Sequence, residues 1–123
     1  MSDVIFDKKD QLERIQALLL PGEEIEAVFD LKGGGTGFLG ITSKRVVFQD
    51  NNFSGRMKAL VSIPYRRVHT LAAENDAGML GSRGFFSSSK IMIGTSSGEY
   101  EFEFRGADKG HQAHNMILKR MLS

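Results

Sequence analysis

The sequence has no cysteine, no tryptophan and only two prolines among its 123 residues. Without thiols there is no disulfide, no thiolate metal site and no cysteine nucleophile. Charge of one dominant sign is also missing: 16 Lys and Arg against 15 Asp and Glu leave a formal net charge of +1. A phosphate backbone calls for a strong positive excess, so nucleic acid is not an expected partner. Long apolar runs are absent. The longest, residues 17–20, falls far short of the roughly 18 residues that span a bilayer. Met1-Ser2-Asp3 puts no basic segment ahead of an apolar one, so no secretion signal is expected and the location read from the sequence is cytoplasmic.

What remains suffices for a core. Apolar residues make up 41% of the chain, which excludes disorder, and the length fits a single domain over 1–123. Asp7 is placed to cap a helix over about 7–19. Leu12, Ile15, Leu18 and Leu19 form its apolar stripe, and Pro21-Gly22 stops it. In 24–32, Ile25, Ala27, Phe29 and Leu31 alternate with Glu24, Glu26, Val28 and Asp30, the period-two pattern of a half-buried strand. Segments 38–42 and 45–49 flank Ser43-Lys44 as a tight hairpin. Strands near 57–63 and 68–74 follow, with a break at 64–67 and loops over 50–55 and 75–87. Segments 90–95 and 99–105 make a last hairpin around Ser96-Ser97-Gly98, with Tyr100, Phe102 and Phe104 on one face. A closing helix over 108–122 has Asp108 as N-cap and carries Ala113, His114, Ile117, Leu118 and Met121 on one side. Helix, about seven strands and helix, joined by short turns, predict a mainly β fold, α+β by content. Two near-orthogonal antiparallel sheets would form a roll or small barrel, with the C-terminal helix closing one end.

Each motif that resembles chemistry lacks its partners. Gly35-Thr36-Gly37-Phe38-Leu39-Gly40 matches G-x-G-x-x-G, yet it runs into a strand rather than a helix, and no acid follows about 20 residues on. It reads as a flexible hairpin loop with glycine at positive φ. Ser87-Ser88-Ser89-Lys90 matches S-x-x-K without its companion elements. His111 and His114, three apart on the last helix, fall short of a metal's ligand count. No catalytic, metal or cofactor role is assigned to any residue. Phe85-Phe86, in a Gly/Ser loop, reads either as covered by its own loop or as one ring offered to a partner or a membrane interface.

Two charged sets remain. Glu99, Glu101 and Glu103 line one face of a strand, as a solvated face or as a docking stripe for basic residues. Lys44, Arg45, Arg56, Lys58, Arg66 and Arg67 form a modest basic set, with Arg66-Arg67 beside Tyr65. It reads either as an anion or acidic-peptide site or as ordinary surface charge. The acidic stripe and Lys44, Arg45, Arg66 and Arg67 are complementary in sign. With free strand edges and little net charge to hold copies apart, head-to-tail self-assembly is expected.

The order of three segments resembles the bacterial pleckstrin-homology-like domains. They are Leu20-Pro21-Gly22-Glu23-Glu24, the run from Gly37 through Ile41-Thr42-Ser43-Lys44-Arg45-Val46 to Phe48, and Ser62-Ile63-Pro64-Tyr65-Arg66-Arg67-Val68. The Ile-Thr-x-x-Arg-Val hairpin followed by Ile-Pro-Tyr is also similar to the related GRAM branch. The resemblance covers about 8–122 and implies two near-orthogonal sheets closed by a C-terminal helix. It further implies a non-catalytic module whose single-domain members form cyclic rings, five-fold as the best guess, and bind other proteins on a polar surface. Phosphoinositide-binding relatives carry several basic residues in the first hairpin loop. Residues 32–37 hold one, Lys32, so membrane lipid is the second choice of partner.

Overall fold

The computed structural model describes residues 3–32, 36–50, 59–75 and 88–123. In order they form β1 (Ile5–Phe6), α1 (Lys9–Gln16), β2 (Ile25–Asp30), β3 (Thr36–Thr42), β4 (Arg45–Asp50) and β5 (Ala59–Pro64). A 3-10 turn (Tyr65–Arg67) follows, then β6 (Thr70–Asn75), β7 (Ser88–Thr95), β8 (Gly98–Arg105) and α2 (Lys109–Met121). The strands form a five-stranded sheet, β1-β2-β3-β4-β5, and a three-stranded sheet, β6-β7-β8. They fall in separate compact units, Met1–Tyr65 and Arg66–Ser123. Of the expected loops over 50–55 and 75–87, Asp50 and Asn75 instead end β4 and β6, and the rest, with Phe85-Phe86, Arg56 and Lys58, lies outside the described residues.

In the first unit β1 pairs parallel with β2, and the remaining pairs are antiparallel. A two-residue strand is too short to show periodicity, and the sequence reading missed it. Its pairing also corrects the first cap. Asp7 does not cap α1: its N–H donates to Val28 O at 3.2 Å, and its Oδ2 accepts the Asp30 N–H at 2.9 Å. Lys8 takes the N-cap position without a side-chain bond.

β2 is buried on both faces, not half-buried: Ala27, Val28 and Phe29 are all 0% exposed. The second face is covered by α1. Ile15, Val28, Phe38 and Val47 form one apolar cluster, with Leu12, Leu18, Leu19 and Ile25 packed around it. Gly40 makes this seat possible. A Cβ on it would stand 2.9 Å from Ile15 Cδ1 and 3.2 Å from Cγ1. Gly37 and Gly40 therefore belong to a strand rather than to the flexible loop expected from the motif, and the bare backbone at Gly40 lets the helix approach. At the other end of α1, Gln11 Nε2 donates to the buried Asp30 Oδ1 at 2.8 Å, and Lys8 Nζ lies 3.6 Å from the same oxygen.

In the second unit alternation holds over the middle of β7 and along β8, while Ser88 and Ser89 are both buried at the start of β7. Ile91, Ile93, Phe102 and Phe104 are buried, while Lys90, Glu99 and Glu101 are exposed. α2 packs against β6 and β7 and to a lesser extent β8, with Ala113 and Ile117 at 0% exposure. Burying a side chain such as Ile117 contributes about 2 kcal/mol. Asp108 holds the N-cap position, as expected, but makes no side-chain cap bond. The cap comes from the sheet instead: Ser89 Oγ accepts the Gly110 N–H at 2.7 Å and donates to Gly106 O at 2.7 Å.

Candidate functional site

The polar groups of the first unit converge on Glu23. Leu20-Pro21-Gly22-Glu23 closes a turn in which Glu23 N–H donates to Leu20 O at 2.9 Å and Gly22 takes φ +83°. Proline followed by a left-handed glycine is the chemistry of a type II turn. It points the Glu23 side chain inward, to 1% exposure. Four hydrogen bonds saturate the carboxylate. Oε1 accepts from Leu20 N at 2.9 Å and Arg45 Nη2 at 3.0 Å, and Oε2 accepts from Arg45 Nε at 2.8 Å and Thr42 Oγ1 at 2.7 Å. The Arg45 bonds, against the opposing effect of burial, hold the carboxyl well below its ordinary range, at about 2.

Arg45 is equally engaged. Beyond its fork on Glu23, Nη2 donates to Leu18 O at 3.0 Å and Nη1 to Ser62 Oγ at 2.9 Å. Tyr65 closes the network, donating from its hydroxyl to Thr42 O at 2.6 Å. Burial, reinforced by the Glu23 charge, pushes its phenol well above the usual range. The structure thus gives Arg45 and Tyr65 an internal role, where the sequence suggested a surface one. Glu23 and Thr42, the residues that hold them, were not among the predicted site residues. The three segments that carry the family resemblance meet in this one network, and its chemistry is that of a clasp.

Of the other predicted residues, Lys44, Arg66, Arg67, Glu99 and Glu101 are exposed and Glu103 is half-buried. Lys44 is exposed at the β3–β4 turn of the first unit. Arg66 and Arg67 are exposed on the 3-10 turn at the start of the second. The outer face of the three-stranded sheet carries the acidic stripe in three cross-strand rows. These are Thr70–Gly94–Glu99, Ala72–Met92–Glu101 and Glu74–Lys90–Glu103. Four carboxylates and one ammonium therefore share this face. Between the last two rows lies a shallow depression of ≈ 110 Å³, lined in part by Ala72, Glu74, Lys90, Met92 and Glu101.

On α2, the His111 and His114 rings stand 6.4 Å apart between centroids, and His114 Nδ1 lies 3.0 Å from Asn115 Oδ1. Among the described residues no three His, Asp or Glu side chains are grouped to hold a metal. No described helix is long and apolar enough to cross a membrane.

No family model matches the chain. It is 32% identical over 111 residues to the uncharacterised protein YozO of Bacillus subtilis strain 168, covering 90% of each chain. Its fold is similar to the crystal structure of a pleckstrin homology domain from Shewanella amazonensis SB2B. There the TM-score is 0.65 at 20% identity, over 95% of this chain and 100% of that one. The C-terminal domain of an unknown protein from Leishmania infantum is also similar, with TM-score 0.59 at 19% identity over 94% and 100% of the two chains. The helices at both ends, the two sheets and these likenesses agree on a pleckstrin-homology-like fold, and the chain belongs to the family of YozO.

Proposed function

We propose that the chain is a non-catalytic protein-interaction module, a single cytoplasmic domain that assembles with copies of itself into a closed ring. Five subunits is the number that the family resemblance implies. The pleckstrin-homology-like fold fits a binding module. The observation that carries the reading is the pairing of surfaces on one chain: an acidic sheet face, and an exposed Arg66-Arg67 turn of opposite sign. Such unlike surfaces favour a head-to-tail contact, which closes into a ring when its rotation permits. The absence of a catalytic role is supported by the clasp, where the strongly shifted Glu23 and Tyr65 are held by internal partners. Light scattering behind a sizing column tests the assembly. A discrete multiple of 13.6 kDa is expected, and a monomer mass at tens of micromolar would end the reading.

A second reading, attachment to anionic membrane surfaces, draws on Arg66 and Arg67, two exposed cations on one turn. Co-sedimentation with phosphatidylserine vesicles at physiological salt separates the two. Binding that disappears in Arg66→Gln/Arg67→Gln would favour lipid over protein.

A further inference from the structure

The outer face of the three-stranded sheet has a shape as well as a charge. Ala72 and Met92, cross-strand partners, floor the depression with aliphatic surface. Glu74 and Glu101 line it as carboxylates, two acids against the single ammonium of Lys90, so the lining keeps a net negative charge. A side chain that suits this site has an apolar stem and a cationic head. Arginine meets both demands: its methylenes lie along apolar surface while its planar fork bonds a carboxylate at two points.

The chain itself supplies the complement. Arg66 and Arg67 project from the 3-10 turn, and neither makes an ion pair among the described residues. They cannot fill the depression of their own sheet. Ala72 lies five residues beyond Arg67, about 16 Å of near-extended chain, with the turn at one end of β6 and the depression further along it. A second β8 is no better occupant, because antiparallel β8 edges would bring glutamates opposite glutamates.

We propose that the Ala72–Met92 depression receives the Arg66-Arg67 turn of a second copy, with Glu74 and Glu101 as the carboxylates that bind it. The proposal rests on the self-assembly reading and names its contact. Donor and acceptor surfaces differ, so every copy offers one of each and the contact repeats in one direction. Charge sets the register of the contact and the aliphatic floor excludes water from it.

Two measurements test it. In the first, Arg66→Glu/Arg67→Glu and Glu74→Arg/Glu101→Arg are compared with the parent chain by light scattering, with circular dichroism as the check on folding. Each pair of swaps should reduce the assembly to monomer, and all four in one chain should restore it. In the second, His69→Cys, beside the turn, and Lys90→Cys, in the lining of the depression, are placed in one chain, where no native cysteine competes and the binding arginines and carboxylates are kept. A short bismaleimide should then give a ladder of covalent multimers, while each single variant stops at dimer or below. A parent chain that is monomeric overturns both the assembly and this contact. A parent that assembles, with swaps that leave its mass unchanged or with no ladder beyond the single-variant controls, overturns the contact alone.

Discussion

Arg45 and Glu23 meet as a two-point ion pair, Nε to Oε2 at 2.8 Å and Nη2 to Oε1 at 3.0 Å, across 22 positions of sequence. The pair joins the turn after α1 to the start of β4, and Thr42 and Tyr65 extend it to the ends of β3 and β5. Removing one partner leaves the other charge buried. Arg45→Met is therefore expected to cost about 3 kcal/mol in urea unfolding at pH 7. A loss of about 0.5 kcal/mol or less would rank the pair with exposed salt bridges. A double-mutant cycle with Glu23→Gln isolates the coupling.

The same pair makes stability fall in acid. The folded carboxyl of Glu23 sits at about 2, below its ordinary 4.5. Its contribution is fully present above pH 4.5 and is lost as the pH falls towards 2. With Arg45 partly open to solvent, the amount lost is about 2 kcal/mol after allowance for screening. Glu23→Gln should be less stable at pH 7 and should show a shallower decline below pH 4.5. Parallel curves for the two proteins would remove Glu23 from the acid transition.

At alkaline pH the signature moves to Tyr65. Its raised folded-state pKa means that the stability it supplies is present below the ordinary tyrosine value of 10.0 and is lost as the pH rises through the folded one. The chain has two tyrosines. Absorbance titration should show a late phenolate step that is missing in Tyr65→Phe. A titration in which the variant keeps that step would contradict the burial assigned to this ring.

Gly110→Ala should reverse the usual helix rule. Alanine in place of a helical glycine commonly stabilises by up to about 1 kcal/mol. Here the new methyl would stand 2.8 Å from Ser89 Cβ and 3.3 Å from Lys90 N, so the start of α2 must lift from β7. We expect a loss of about 2 kcal/mol by thermal melting. A gain in melting temperature would mean that α2 does not seat on Ser89.

Glycine 40 offers a milder version with a rescue. Gly40→Ala presses on Ile15 Cδ1 and Cγ1, and Ile15 is 1% exposed with little room to turn. The expected cost is about 1 kcal/mol. Ile15→Val removes Cδ1, so adding it to Gly40→Ala should cost less than the two single losses combined. Simple additivity would place the strain elsewhere.

The sequence by itself determined the order of the elements from α1 onward. The alternation in 99–105, the hairpins at Ser43-Lys44 and Ser96-Ser97-Gly98, and the amphipathic last helix are local patterns, and the structure has each of them. The exposed placement of Glu99 and Glu101 was legible for the same reason: period two fixes which residues share a face. Only the tertiary structure decided what covers what. β1 exists through its pairing with β2, the second face of β2 is closed by α1, and the cap of α2 is lent by a serine 21 positions away on β7. Arg45 counts as surface charge until the turn at Pro21-Gly22 delivers Glu23 to it, and Ala72 and Met92 adjoin Glu101 only through sheet register. Periodicity reports the face on which a residue stands, because backbone geometry repeats over a few residues. Partners far apart in sequence are selected by packing and by pairing buried charge, and local periodicity carries no record of those contacts.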